Sequence, residues 1–425
     1  MFYKVLRWLV RIILEIYFRK IYIHGLDKIP DDKPLLLASN HPSAFLEACI
    51  LACYIKRPLH FLVRGDVFVS KFLWFFKATN QVPIYRFRDG YNSLKKNAST
   101  FQYCYDTLAN GKIILVFPEG NTELEKKLRP IQKGTARIAF GTMEAHGDIS
   151  LSILPVGVNY THPLAFKKEV MVSFGESLAV QPYFESYKVE KNNAISILTK
   201  DIEKAMFENV VHVEDNEEET LEQLFQLSRA HENRPYYPVV QISKDKLVKE
   251  KKLADAYLAL DEKNKTNLKQ KVGAYFELLS REKISDYHLF KTPDSNTGLF
   301  GKSLILIIGF FPAIVGLALN GIPAFLANYI AKSKVKLLEF FAPVRIGVAL
   351  LTYLILFSII IILAIFNKFF WLLFIAIPVF GYFSLWYLEI YKQWKSEKTR
   401  LSISENKRIK LLKIRNKIAV DFPYI

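Results

Sequence analysis

The sequence reads as an α/β domain joined to a helical membrane region, on three observations. From Leu26 to about Val211, short apolar runs alternate with longer amphipathic stretches, the pattern of strands and helices around a largely buried sheet. After Lys302 the chain turns apolar, with uncharged stretches matching the roughly 20 residues a spanning helix needs. Finally, 51% of the 425 residues are hydrophobic, yet 58 Lys and Arg stand against 41 Asp and Glu. That mixture suits an anionic lipid surface or a phosphorylated substrate. Nucleic acid is set aside as a partner, because the basic excess gathers beside apolar segments and no nucleic-acid-binding motif occurs.

The elements follow in order. In residues 1–24 the charges Lys4, Arg7, Arg11, Glu15 and Arg19 recur every three or four positions among apolar residues. This predicts an amphipathic helix lying in the headgroup region, with a helix packed on the soluble domain as the competing reading. In the α/β domain, residues 25–211, strands are expected at Pro34–Ala38, Leu59–Val63, Val82–Tyr85, Lys112–Phe117, Leu151–Val158 and Val170–Phe174. Helices are expected at Phe45–Tyr54, Val69–Lys77, Ser93–Leu108 and Thr135–Ala145. Residues 212–297 open on the acidic run Glu214 to Glu219 and continue through Lys- and Glu-rich stretches, a polar helical insertion. Residues 298–390 form the membrane region. Spans are expected at 346–367 and 369–388, and 303–331, broken by Pro312, Gly316, Gly321 and Pro323, is expected to re-enter the side it came from, a true third span being the alternative. Lys332, Lys334, Lys336 and Arg345 precede the spans, and ten Lys and Arg against three acids fill a tail at 391–425. The positive-inside rule places both flanks in the cytoplasm.

Chemistry centres on His41, directly after the first apolar run of the α/β domain. A histidine supplies a base with a pKa near neutrality, and a carboxylate nearby can hold its tautomer and stabilise its charged form. Glu47 is the sole acid between Asp32 and Asp66. Cys49, Cys53 and Cys104 form no zinc set or disulfide framework, and the other histidines lack paired ligand spacing, so no metal is expected. No P-loop or dinucleotide fingerprint occurs, so no cofactor is expected.

Four blocks then carry a resemblance. Ser39-Asn40-His41-Pro42-Ser43, the arginine of Val82-Pro83-Ile84-Tyr85-Arg86, Phe117-Pro118-Glu119-Gly120-Asn121-Thr122 and Ile153-Leu154-Pro155-Val156-Gly157 resemble, in this order, the blocks of the glycerolipid acyltransferases. That family comprises glycerol-3-phosphate, dihydroxyacetone-phosphate and lysophosphatidic acid acyltransferases. The likeness covers roughly residues 25–185 and implies a central mixed sheet flanked by helices. Its first block departs from the family: five residues, not four, separate His41 from the acid, which is Glu47 where the family usually has Asp. A small bulge at the loop-to-helix junction could absorb the extra residue, and the added methylene gives reach.

The resemblance implies His41 as general base and Glu47 as the residue that orients it. It implies Arg86 as a bidentate grip on phosphate, and Glu119, Gly120, Asn121 and Thr122 as a turn that helps bind the acceptor. The family's Arg after the Thr is replaced here by Glu123. Lys127, Arg129 or Lys133 could stand in, and Lys133 is favoured because it precedes a helix start. Pro155 would shape a strand lining the acyl site. The expected activity is transfer of a fatty acyl group from acyl-CoA or acyl-ACP, as co-substrate, to one of the three acceptors by direct attack, with acyl carrier protein a candidate partner. Rival readings are an idle membrane scaffold or lipid-binding protein, and an acyltransferase for another acceptor. The C-terminal part is similar to extensions on some bacterial members, implying a bacterial inner membrane with the catalytic domain cytoplasmic.

Overall fold

A computed structural model describes residues 2–85, 97–147, 149–230, 232, 237–290 and 298–425. The chain divides into two compact units. One comprises Met1–His212, Pro238–Lys251 and Leu337–Pro343; the other comprises Val213–Tyr237, Lys252–Lys336 and Val344–Ile425.

The first unit, called here the sheet unit, is built on a nine-stranded mixed sheet among the described residues. Its strands are β1 (Lys20–His24), β2 (Leu35–Ser39), β3 (Leu59–Arg64), β4 (Gln81–Ile84), β5 (Ile113–Val116), β6 (Ser152–Tyr160), β7 (Glu169–Phe174), β8 (Leu178–Ala179) and β9 (Val240–Ile242). They lie in the order β4-β3-β5-β2-β6-β7-β1-β9, with β8 beside β6. β4, β3, β5, β2 and β6 run parallel, and β6 meets β7 antiparallel. Leu35, Leu36, Leu37 and Ala38 of β2 are fully buried, as a strand with neighbours on both edges and cover on both faces requires. Helices α1 (Phe2–Tyr17), α2 (Leu46–Tyr54), α3 (Leu73–Ala78), α4 (Asn97–Ala109), α5 (Gly134–His146), α6 (Gln181–Val189) and α7 (Lys191–Phe207) complete the unit. A core of Leu36, Ile114 and Ile153 from the sheet, Ala139 and Phe140 from α5 and Leu198 from α7 closes one face.

The helix expected over 1–24 stops at Tyr17, and Lys20–His24 is a strand. Ile21 and Ile23 are buried there between β7 and β9, and the buried Lys20 ammonium donates to the Pro238 carbonyl at 2.6 Å. α1 packs on α2 and keeps an exposed apolar face. Arg7 donates to the carbonyls of Cys53 and Lys56 at the end of α2, while Phe2, Val5, Trp8, Ile12 and Ile16 remain exposed.

Proline inside β6 has a structural explanation. Pro155 pairs with Ala38 of β2, and its carbonyl accepts from the Gly175 amide at 2.8 Å. Its nitrogen faces that same edge, where β6 changes partner from β8 (up to Ile153) to β7 (from Val156), so no ladder bond is forfeited. Gly157 has no room for a side chain, since a Cβ would come within 1.9 Å of the Asn209 carbonyl oxygen.

The polar stretch 212–297 is shared between the two units. Its β9 adds an edge strand beside β1, and Lys246 makes buried ion pairs with Glu169 of β7 and with Glu250, each at 3.5 Å.

The second unit is helical: α8 (Glu218–Arg229), the end of α9 (Asp245–Leu258), α10 (Glu262–Arg281), α11 (Leu299–Ile308), α12 (Phe310–Lys334), α13 (Phe341–Phe366, beyond its first turn), α14 (Leu372–Ser402) and α15 (Glu405–Asp421). Three stretches, Phe310–Lys334, Leu338–Phe366 and Lys368–Ser402, are long and apolar enough to cross a membrane. The segment expected to re-enter comprises part of a short helix, a break at Gly309, and most of a 25-residue helix that continues through Pro323. Small residues let these helices approach: a Cβ on Gly316 would meet the Phe380 carbonyl oxygen at 2.1 Å, and Ser384 donates to the Ala313 carbonyl at 2.9 Å. The basic stretch 391–425 is helical throughout most of its length. In α15 the buried Arg415 pairs with Asp286 at 3.2 Å and donates to the Leu227 carbonyl at 3.0 Å.

Candidate active site

Parallel strands deliver their C-terminal ends to one edge of the sheet, the position where open α/β sheets bind ligands. β2 ends there in Ser39, followed by Asn40 and His41; β5 ends there in Val116, followed by the turn Phe117-Pro118-Glu119-Gly120.

Two clamps fix the residues around His41. The Asn40 amide donates to the Val158 carbonyl at 2.9 Å and accepts from the Val158 amide at 2.7 Å, locking the end of β2 to β6. Glu119 accepts the His41 backbone N–H at 3.2 Å. The same carboxylate receives the Arg129 amide at 3.2 Å and pairs with the Arg129 guanidinium. Burial pushes the Glu119 carboxyl above its ordinary value; the Arg129 pairing pulls the other way and does not fully offset it. The turn closes with the Gly120 amide donating to the Phe117 carbonyl at 3.1 Å, and Gly120 takes φ 70°, a conformation that favours glycine.

The imidazole lies flat on Phe117, ring centres 3.9 Å apart at 12°. Its Nδ1 is 3.1 Å from Glu47 Oε2. With Nδ1–H directed at a carboxylate, Nε2 carries the lone pair, and among the described residues no hydrogen bond to it is found. The His41 side chain keeps 16% of its surface exposed, whereas Glu47 is fully buried. The additional residue between them is taken up in the loop. Ala44 adopts φ 46°, so that α2 starts at Leu46 and Glu47 in its first turn faces back to His41. The second Glu47 oxygen accepts from the Tyr160 hydroxyl at 2.9 Å.

Ser43 is 1% exposed, and its hydroxyl points to the Glu339 carbonyl at 3.5 Å. Phe45 meets Phe340 edge to face at 6.0 Å. The segment Leu337–Pro343 therefore packs against the loop that carries His41. Burial pushes the Cys49 thiol up to about 11 and those of Cys53 and Cys104 to about 12, which leaves three protonated thiols and no activated sulfur nucleophile.

The structure thus gathers His41, Glu47, Glu119 and Gly120 at one sheet edge. Arg86 lies outside the described residues. Asn121 donates to Glu123 at 2.9 Å and its carbonyl takes the Arg129 guanidinium at 2.6 Å, while Thr122 sits half-buried beside it. Of the three candidate cations, Arg129 is the one whose charge meets the turn. The Lys133 ammonium is instead bound to Ser196 of α7 at 2.9 Å. Pro155 stands beside Ala38 inside the sheet, three residues before His41 in register. Asn40 and Tyr160 are the residues that sequence reasoning passed over. The signal for the latter was a tyrosine at a strand end, two positions beyond the expected limit of β6.

Comparison with known proteins matches residues 20–159 to the acyltransferase family model. Glycerol-3-phosphate O-acyltransferase 2 of Saccharomyces cerevisiae is 31% identical over 112 residues, 26% of this chain and 15% of that protein. A 1-acyl-sn-glycerol-3-phosphate acyltransferase of Chlamydomonas reinhardtii is 34% identical over 124 residues, 29% of this chain and 35% of that protein. The chloroplastic LPAT1 of Arabidopsis thaliana, also a 1-acyl-sn-glycerol-3-phosphate acyltransferase, is 30% identical over 153 residues, 34% of this chain and 40% of that protein. The chain thus spans between 15% and 40% of the length of these relatives. The histidine braced by a buried acid at the carboxyl ends of β2 and β5 lies inside the residues matched to the acyltransferase family model, the part of the chain that is similar to the glycerol-3-phosphate and 1-acyl-sn-glycerol-3-phosphate acyltransferases.

Proposed function

We propose that the protein is a membrane-bound O-acyltransferase of phospholipid synthesis. It moves a fatty acyl group from acyl-CoA or acyl-ACP to a hydroxyl of glycerol-3-phosphate, dihydroxyacetone phosphate or lysophosphatidic acid. The observation that carries this reading is the 3.1 Å contact between His41 Nδ1 and the buried Glu47 carboxylate, with Nε2 left available.

The chemistry follows from that geometry. Nε2 accepts the proton of the acceptor hydroxyl as its oxygen forms a bond to the thioester carbonyl carbon. Glu47 stabilises the imidazolium so produced, as the acid of a catalytic triad does. The carbon–sulfur bond then breaks, and the departing thiolate takes the proton from His41. No acyl-enzyme is needed, which agrees with the buried Ser43 and the protonated thiols. Arg86 is assigned to the acceptor phosphate, with Arg129 shaping the turn beside it.

The three apolar helices hold the enzyme in the membrane where acyl chains partition. Lys332, Lys334, Lys336 and Arg345 favour a cytoplasmic sheet unit, with a bacterial inner membrane as the expected setting.

The test is thioester consumption by the full-length protein in lipid, with each of the three acceptors. His41→Ala should lower kcat by about 10²- to 10⁴-fold while the thermal midpoint stays put. Equal rates in the two proteins, or no transfer to any acceptor, would overturn the enzymatic reading in favour of a lipid-binding scaffold.

A further inference from the structure

The hydrogen bond from the Tyr160 hydroxyl to Glu47 extends the His41–Glu47 pair by one member. Glu47 has two carboxylate oxygens and no contact with solvent. Oε2 faces the imidazole at 3.1 Å, and Oε1 accepts from Tyr160 at 2.9 Å. A carboxylate reaching from the first turn of a helix has three rotatable side-chain bonds, one more than aspartate. A single contact to a loop histidine would leave it free to turn.

Tyr160 supplies the second contact from a strand of the sheet. It is the last residue of β6, paired in register with Val170 of β7, and its ring stacks on Phe18 at 6.1 Å and 20°. Only 5% of its surface is exposed.

We propose that Tyr160 is a positioning residue: its hydroxyl pins Glu47 Oε1 so that Oε2 stays aimed at Nδ1 of His41, which lets a glutamate at this longer spacing brace the base. Burial, together with the Glu47 charge, keeps the phenol pushed far above its ordinary value, so the hydroxyl remains a donor throughout the working pH range. The inference rests on the acyl-transfer reading and adds an electrostatic consequence. A donated hydrogen bond favours the ionised form of its acceptor, and removing the donor is expected to move the acid limb of the pH–rate profile up.

The experiment uses the full-length protein in lipid with acyl-CoA and whichever acceptor supports turnover. Tyr160→Phe keeps the ring and removes the hydroxyl. It should lower kcat about tenfold, the effect of losing one hydrogen bond to a charged group, and leave KM for both substrates within about twofold. The acid limb of kcat/KM should shift to higher pH. Incorporating 3-fluorotyrosine at 160, a stronger donor of nearly the same size, should shift that limb to lower pH and preserves the measurement if the phenylalanine variant folds poorly. In a Glu47→Gln background, Tyr160→Phe should add little, because the two act through one carboxylate. An unmoved limb with wild-type kcat overturns the proposal. So does a loss of rate with an unmoved limb in both substitutions, which marks a packing role only. If wild type transfers and His41→Ala does not, those outcomes overturn this inference alone; if wild type transfers to no acceptor, the parent reading falls and this one with it.

Discussion

Each unit contains a buried or half-buried asparagine that ties elements together, and the two work in opposite ways. Asn40 directs both ends of its amide at one residue, Val158, closing a two-bond clamp between neighbouring strands. Asn320 of α12 spreads its amide over three helices: Nδ2 donates to the carbonyls of Gly316 and Ile377, and Oδ1 accepts from the Tyr353 hydroxyl at 2.6 Å. A two-bond clamp on one partner fixes the position and direction of the next residue, here His41. A distributed set holds helices together without specifying where any single atom lies. The comparison teaches that the sheet unit is built for placement and the helical unit for cohesion.

Substitution can break that contrast. Asn40→Ala would leave the Val158 N–H and carbonyl, on a residue only 1% exposed, without these side-chain partners. The expected cost is about 2–4 kcal/mol in thermal or denaturant unfolding, with a fall in kcat that exceeds what any unfolded fraction explains. A fully active, stable Asn40→Ala enzyme would show that the clamp does not place the base. Asn320→Leu preserves volume and removes the three bonds. It should cost about 1–2 kcal/mol in detergent unfolding, in line with interhelical hydrogen bonds in membranes, and leave kcat close to wild type. Loss of kcat without loss of stability would mean the helical unit also contributes placement. The smallest effect is expected at Ala44, where the left-handed backbone strains any side chain. Ala44→Gly relieves that strain but loosens the unfolded chain, so a net gain of about 0.5 kcal/mol should appear as a slightly higher melting midpoint. A drop in the midpoint would show that the Ala44 methyl contributes more packing than its conformation costs.

Much of the arrangement is readable from the chain. The runs at Leu35–Ser39 and Ile113–Val116 are continuously apolar because both faces of a central parallel strand are covered. Glu47 could be paired with His41 because no other acid lies near it in sequence. What escaped detection depended on distant partners. Lys20 falls within the stretch expected to be one helix, yet it starts a strand and its ammonium donates to a carbonyl 218 residues away. β9 is three residues within a Lys- and Glu-rich stretch, too short to register as a strand without β1 beside it. The sequence favours Lys133 on its place before a helix, whereas it is Arg129 that the path of the 121–129 loop returns to Glu119. Tyr160 reaches Glu47 across 113 residues of chain, a contact no local pattern encodes.

The strip Leu337–Pro343, which lays Glu339 and Phe340 against the loop bearing the base, has a practical corollary. The sheet unit is woven from three separate lengths of polypeptide, the last of them embedded among the most hydrophobic stretches. Cutting the gene before codon 298 to obtain a water-soluble enzyme discards part of the very unit one hopes to keep. A workable soluble version would have to graft that heptapeptide back, and its turnover relative to the simple truncation would measure how much the strip contributes.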